Sequence, residues 1–112
     1  MTLDELYTRR KELIKLLNDT IDYRKKLSRI LPSAEREYRM ELTKQQVLAH
    51  NDGMAYTALY NHCRGIESVA NLRFERDTHK YMMDTVQEKI YSVKLELRVI
   101  ESDIESYRKG NV

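Results

Sequence analysis

The chain has 112 residues with one proline and three glycines, and 34% of its residues are charged. That composition is typical of long helices and coiled coils, and the length predicts a single helical domain over residues 1–112. No apolar run approaches the roughly 20 residues needed to span a bilayer, and the charged N-terminus is unlike a signal peptide. A formal net charge of +2 is too small to indicate nucleic acid by itself.

A first long helix is predicted over residues 3–51. Its apolar residues recur at heptad spacing, with Leu6, Leu13 and Leu27 among them. Pro32 interrupts this stretch, and a proline can either break a helix or only kink it. The heptad phase continues from Leu27 through the proline to Tyr38, which favours one kinked helix over two separate ones. The sequence NDG at 51–53 is a strong helix stop.

Two more helices are expected after this turn: a short one over 54–64 and a long one over 66–109. The long one carries apolar residues in steps of three and four, with Arg76 and His79 as polar exceptions. We call this run the seam of the third helix; it comprises Val69, Leu72, Arg76, His79, Met83, Val86, Ile90, Val93, Leu97, Ile100, Ile104 and Tyr107. The two long helices match in length. The predicted fold is therefore all-α, a long antiparallel helical hairpin with a short helix at its turn.

The charges support this pairing of the long helices. Residues 1–31 hold more basic than acidic side chains, whereas residues 66–112 hold slightly more acidic ones. If facing residue numbers sum to about 114, as in an antiparallel coiled coil, the basic group Arg9, Arg10 and Lys11 faces Glu101, Asp103 and Glu105. One hairpin buries little apolar surface, so we expect it to dimerise into a helical bundle.

The same register predicts a polar layer near the turn. It places Arg76 opposite Tyr38 and His79 opposite Glu35, with Glu41 close by. Such a layer often fixes the register and the choice of partner in a coiled coil. The alternative is a charged recess that is open to another protein.

The tyrosines suggest where another protein could bind. There are eight of them, and tyrosine is enriched at interfaces because its ring is apolar and its tip polar. Tyr56 and Tyr60 lie four residues apart on the short helix and, with Arg64, predict a binding surface at the turn. Alternatively they only cap the end of the bundle. The candidate partner-binding residues are Tyr56, Tyr60, Arg64, Glu35, Arg76 and His79.

Catalysis and metal binding have little support in the sequence. The soft metal ligands are His50, His62, Cys63 and His79, and none has the spacing of a zinc site. A site gathered from separate elements would still be compatible with them. No nucleophile motif or phosphate-binding loop is present. We therefore expect no enzyme activity, no catalytic residue and no cofactor, and the lone cysteine suits a reducing cytoplasm.

A second function class is a nucleic-acid-associated accessory protein. The segment YRKKLSR at 23–29 places basic side chains beside an aromatic one. Its helical phase scatters those charges around the axis, so only weak, non-specific phosphate binding is expected. The residues that would carry it are Arg9, Arg10, Lys11, Arg24, Lys25, Lys26 and Arg29.

Three blocks resemble a known group of proteins: AEREYR at 34–39, NLRFERD at 71–77 and LELRVIESDI at 95–104. They are similar to small helical coiled-coil proteins of phages and prophages of Gram-positive bacteria. The resemblance covers residues 34–105 and implies a phage origin, often near replication or recombination genes, but no catalytic residues. The leading hypothesis is a non-enzymatic module that binds a host or phage protein. Inhibition of a host defence system, such as a CRISPR nuclease, is one form of that function.

Overall fold

The protein consists of three helices, described here by a computed structural model over residues 1–110. They are α1 (Leu3–Asn51), α2 (Tyr56–Arg64) and α3 (Glu67–Arg108). The all-α prediction is confirmed, since residues 1–110 contain helices joined by short turns. None of the helices in this range has a stretch long and apolar enough to cross a membrane.

Helix α1 begins at a polar cap and runs without interruption past its proline. The backbone N–H of Glu5 donates to Thr2 Oγ1 over 3.2 Å, which satisfies one of the donors that a helix start leaves unpaired. Pro32 lies inside the helix rather than between two helices. Buried residues continue on one face across it, from Leu27 to Ala34 and Tyr38. Burial of this face offsets the loss of one backbone hydrogen bond at the proline.

The turn after α1 depends on a glycine with left-handed backbone geometry. Gly53 has φ of 98°, and its N–H donates to the carbonyl of His50 over 3.0 Å. The N–H of Met54 reaches the carbonyl of Ala49, also over 3.0 Å. These bonds use carbonyls that the end of a helix leaves unsatisfied. Helix α2 then follows, with Leu59 and Cys63 on its buried face.

The contacts within the chain define two compact units. Unit 1 comprises residues 1–26 with the described part of residues 83–112, and unit 2 comprises Leu27–Met82. In unit 1 the start of α1 packs against the end of α3, so the helices are antiparallel there. Its core contains two leucines of α1 and four aliphatic seam residues of α3, namely Leu6, Leu13, Val93, Leu97, Ile100 and Ile104. The predicted seam is therefore the buried face of α3 in this unit from Val86 to Ile104, whereas Tyr107, which was also assigned to the seam, is 38% exposed.

The ion pair across unit 1 differs from the one predicted. Arg9 contacts Glu96, with Nη2 2.8 Å from Oε1, and also pairs with Glu12 on its own helix. It does not contact Glu105, which a sum of about 114 would require. The expected facing residue is therefore wrong for Arg9, whose partner Glu96 precedes Glu105 by nine residues. Its pKa is raised by the hydrogen bonds to Glu96 and Glu12.

In unit 2, α1 and α3 are again antiparallel and α2 packs beside them. Glu35 of α1 contacts Arg76 of α3, and Glu41 accepts a hydrogen bond from Ser68 Oγ over 3.0 Å. Later residues of α1 thus meet earlier residues of α3, as in a hairpin. The buried side chains of this unit are Leu27, Ala34, Tyr38, Leu59, Cys63 and Val69. Both long helices and α2 contribute to that set.

Candidate partner-binding site

The charged residues predicted to form a polar layer do meet in unit 2, around Arg76. Its Nη1 lies 3.2 Å from Glu35 Oε2, and its Nη2 lies 2.9 Å from Asp77 Oδ1. Glu35 also accepts from Arg39 Nε over 2.7 Å, one turn further along α1. Arg39 and Arg76 therefore both pair with the carboxylate of Glu35, and Arg76 also pairs with the carboxylate of Asp77.

The aromatic ring of Tyr38 packs against the guanidinium of Arg76 in this network. The side chain is buried, and the Arg76 guanidinium lies 4.5 Å from the centroid of its ring. A planar cation above an aromatic face is attracted by the ring electrons, more strongly when it is partly shielded from water. The prediction that Arg76 lies opposite Tyr38 is confirmed. The contact fixes the guanidinium from the side that the carboxylates do not cover.

The network alters the ionisation of its members. The pKa of Glu35 lies below its ordinary value because Arg39 donates a hydrogen bond to it and Arg76 adds positive charge; partial burial acts in the opposite direction. Burial lowers the pKa of Arg76, but the hydrogen bond and charge of Asp77, with those of Glu35, outweigh it and raise the pKa overall. Both groups are therefore charged at neutral pH.

A recess of about 410 Å³ opens beside this network, and we call it the arginine recess. Its charged and aromatic lining comes from all three helices, and Leu42 and Thr43 complete the wall. That lining consists of Glu35, Tyr38, Arg39, Tyr60, Arg64 and Arg76. Four of the six candidate residues from the sequence, namely Glu35, Tyr60, Arg64 and Arg76, thus line one recess. With three guanidinium groups and one carboxylate, it is electropositive.

Arg64 differs from the other two arginines of the recess. Its guanidinium lies 5.2 Å from the centroid of the Tyr60 ring, but within residues 1–110 it has no carboxylate partner. The Nε atom of Arg64 is buried and donates to no acceptor in that part of the chain. A buried donor without an acceptor costs free energy, about 1–3 kcal/mol in typical proteins.

A second recess of about 400 Å³ lies on the other side of Tyr60, and we call it the tyrosine recess. Val47, Tyr56, Leu59 and Tyr60 form its apolar wall, and His50 stacks on Tyr56 with ring centroids 4.2 Å apart. Tyr56 is 76% exposed and Tyr60 50% exposed, so both rings are open to solvent. Their exposed positions agree with the predicted face of α2. The stacking holds the start of α2 against the end of α1.

The hydrogen bond of His79 lies within its own helix and does not involve the charged residues of the polar layer. The Nδ1 of His79 lies 2.7 Å from the backbone oxygen of Glu75, one turn earlier on the same helix. Arg76 takes the position beside Glu35 because its longer side chain reaches across to α1. Glu41 does face α3, but its partners are Ser68 and Gln45. The hydrogen bond from Gln45, then that from Ser68, lowers the pKa of Glu41.

The basic residues of the nucleic-acid alternative do not form one continuous surface of unpaired charge. Arg9 is held by Glu96 and Glu12, and Arg10 lies over the Tyr7 ring at 5.1 Å. Arg10 also lines a recess that contains charges of both signs, from Glu101, Glu105, Arg108 and Lys109. The Nε of Arg24 is buried. Three of the other members, Lys11, Lys26 and Arg29, are exposed.

The metal-binding candidates of the sequence are not gathered into a cluster of three ligands within residues 1–110. Within residues 1–110 no three histidine, cysteine, aspartate or glutamate side chains lie close enough together to hold a metal ion. Cys63 is a buried free thiol on α2. His50 instead stacks on Tyr56. The side chain of Cys63 packs as a small apolar group.

Some residues of the two recesses were not among the candidates from the sequence. Arg39 had a signal, because a glutamate and an arginine four residues apart pair on a helix, as Glu35 and Arg39 do here. Val47 and His50 carried none, since their role depends on where α2 packs. Comparisons of the chain with protein-family models, with curated proteins and with solved structures found no match.

Proposed function

We propose that this chain is a non-enzymatic protein-binding module that contacts its partner through the arginine recess and the tyrosine recess. The observation that carries the proposal is the meeting of the exposed aromatic face of α2 with the charged residues of α1 and α3 around Tyr60. Aromatic and arginine side chains supply most of the binding free energy at protein interfaces. Here both kinds lie at the rim of two adjoining recesses.

The resemblance to phage proteins gives this proposal its biological setting. The blocks AEREYR and NLRFERD, which carry that resemblance, contribute Glu35, Tyr38, Arg39 and Arg76 to the arginine recess. Two of the three segments by which the chain resembles the phage group thus supply half of the lining of the recess. We propose a phage-encoded protein that acts in the cytoplasm of a bacterial host. Inhibition of a host defence system such as a CRISPR nuclease is one form of this function.

The test is capture of a partner from bacterial lysate with the tagged protein, with and without nuclease treatment. The double variant Tyr56→Ala with Tyr60→Ala removes the aromatic face, and we expect it to lose the captured protein. Tyr81→Ala is the matched control, because Tyr81 is 72% exposed and lies outside both recesses. Equal capture by all three proteins would contradict the proposed site. Capture that disappears with nuclease would favour the nucleic-acid alternative.

We also propose that the protein is a homodimer. Helix α3 carries a second apolar stripe in unit 1, formed by Tyr91, Leu95 and Val99, each more than half exposed. At 3.6 residues per turn the stripe lies roughly 180° from the buried face of Ile90 and Val93. A helix that is apolar on two opposite faces needs a partner on each. The hairpin covers one face, and a second copy of the chain is proposed for the other.

The oligomeric state tests this directly. One chain has a mass of 13.4 kDa, and light scattering after size exclusion is expected to give about twice that value for the dimer. Leu95→Glu places a charge on the stripe and is expected to give the monomer mass. Met40→Glu is the control, since Met40 is exposed on α1 and outside the stripe. A wild-type monomer at high concentration, or a dimer that survives Leu95→Glu, would overturn the proposal.

A further inference from the structure

Of the three guanidinium groups that line the arginine recess, only that of Arg64 has no carboxylate partner within residues 1–110. Glu35 is occupied by Arg39 and Arg76, and Asp77 takes a second edge of Arg76. Arg64 is the guanidinium left over, and it lies beside Tyr60, the residue that lines both recesses. The imbalance is local to one side chain. A ligand for this site must therefore supply a negative charge at Arg64.

The chemistry of Arg64 narrows the choice to a carboxylate. A guanidinium presents its donors as a planar fork that matches two oxygens of a carboxylate or of a phosphate. Arg64 is already partly buried, so part of the desolvation penalty for its charge is present before the ligand binds. A nucleic acid backbone would instead need several unpaired cations in a row. The recess offers one, which suits a single carboxylate.

The tyrosine recess adds a second requirement to the ligand. It shares Tyr60 with the arginine recess, so one short segment can reach both. Val47, Leu59 and the face of Tyr56 line it with apolar surface. Val47 is 54% exposed, and a side chain placed there would remove that surface from water. A large apolar side chain fits this position.

We infer that the two recesses bind a segment of a partner protein in which an aspartate or glutamate pairs with Arg64 and a neighbouring large apolar side chain enters the tyrosine recess. The inference rests on the proposed function, because it specifies the chemistry of the same surface. It adds the ligand: an acidic residue close in sequence to an apolar one. Arg64 supplies the charge recognition, and Tyr60 separates the two subsites.

The experiment is a selection of binders from a library of random heptapeptides displayed on a carrier, using the full chain as bait. We expect enrichment of aspartate or glutamate near leucine, phenylalanine or tyrosine. A selected peptide is then synthesised in its acidic form and in its amide form, with asparagine or glutamine at the acidic position. Both peptides are titrated against the wild type and Arg64→Gln, which gives a double-mutant cycle.

For the acidic peptide we expect Arg64→Gln to weaken binding by about tenfold or more, the range of a charge-assisted hydrogen bond. The amide peptide should be almost indifferent to the same substitution. Arg64→Lys keeps the charge but not the fork and should lie between the two. Arg36→Gln is the matched control, because Arg36 is exposed on α1 and lines neither recess. Circular dichroism checks that each variant is folded.

Three results would overturn the inference. The first is a selection that yields no binder or no enrichment of acidic residues. The second is an acidic peptide that binds Arg64→Gln as tightly as it binds the wild type, and the third is a single-stranded oligonucleotide that competes with the peptide.

Failure of this inference is distinguishable from failure of the proposed function. If lysate capture depends on Tyr56 and Tyr60 but not on Arg64, the surface binds a partner and only the acidic ligand is wrong.

Discussion

Arg76 reaches across from α3 to Glu35 on α1, and the two side chains meet at 3.2 Å between Nη1 and Oε2. Both are partly shielded from water, with 23% and 31% of their side-chain surface exposed. Arg39 adds a closer contact to the same carboxylate from the exposed side of α1. A carboxylate held by two cations in this way favours its charged form. This gives the stability of the fold a dependence on pH.

Glu35→Gln is expected to be less stable than the wild type at pH 7, by about 1 kcal/mol as for a partly exposed ion pair. The pKa of Glu35 is depressed in the folded chain relative to its ordinary value of 4.5. Its contribution is therefore complete above pH 4.5 and is lost as the pH falls through the lower folded-state value. Urea unfolding of both proteins at pH 7 and at pH 3 measures the difference.

The difference in free energy of unfolding between the wild type and Glu35→Gln should be smaller at pH 3 than at pH 7, because protonated Glu35 resembles glutamine. Glu41, whose pKa is also depressed, titrates in both proteins and cancels in the comparison. A gap that stays constant between the two pH values would mean that the ion pairs of Glu35 add nothing to stability.

Arg76→Leu tests whether the same pair specifies the alignment of the helices. Leucine would complete the apolar seam of α3, and Glu35 would keep Arg39 as a partner. We therefore expect unchanged helix content and a free energy of unfolding within about 1 kcal/mol of the wild type. The substitution should instead make the alignment of α1 and α3 less well defined. This would be seen as broadened amide resonances or as a mixture of masses in light scattering. Arg36→Leu is the control, since Arg36 is exposed on α1.

An Arg76→Leu protein with the wild-type mass, melting temperature and resonance widths would show that Arg76 does not specify the register. The polar layer would then matter for the recess alone. In that case the side chain should still affect partner capture.

The sequence allowed the helices to be predicted more accurately than the contacts between them. Apolar residues at heptad spacing depend only on the helical period, so the buried face of α3 follows from the sequence pattern, as Val93 and Leu97 illustrate. Long charged side chains do not obey that period. Arg9 and Arg76 each select a carboxylate within reach, and a fixed sum of residue numbers does not capture this.

The recesses were harder still to predict, because they depend on where α2 packs. Tyr60 and Arg64 could be placed on one exposed helix from their spacing. Their approach to Glu35 requires the burial of Leu59 and Cys63 on the other face of α2. That burial is a property of the tertiary fold, and no local pattern in α1 indicates that Val47 lies beside Tyr56.

The core of unit 1 provides a test of packing. Leu13 is completely buried, whereas its neighbour Ile14 is 44% exposed. We expect Leu13→Ala to lower the free energy of unfolding by about 2–5 kcal/mol, through lost burial and the cavity that remains. Ile14→Ala should cost less than about 1 kcal/mol. Both substitutions remove the same number of carbon atoms, so chemical denaturation of the two variants measures the effect of burial. Similar losses in the free energy of unfolding would mean that α1 is rotated relative to the face described here.

Replacement by alanine is expected to have opposite effects on stability at the two glycines that follow α1 and α2, Gly53 and Gly65. Gly53 has φ of 98°, a conformation that residues with a side chain rarely adopt, although a Cβ there would meet nothing within 4 Å. Gly53→Ala should therefore cost about 1–2 kcal/mol for conformational reasons alone. Gly65 has φ of −86°, and its added Cβ would lie at an ordinary 3.5 Å from the carbonyl oxygen of His62.

Gly65→Ala is therefore expected to be neutral or to stabilise the fold by about 0.4–1 kcal/mol, because alanine restricts the unfolded chain without straining the folded one. Thermal unfolding followed by circular dichroism gives both values under identical conditions. The sign of the difference between the two variants is the decisive quantity. If Gly53→Ala were as stable as Gly65→Ala, the left-handed turn that ends α1 would not be required, and the connection to α2 would form with ordinary backbone geometry.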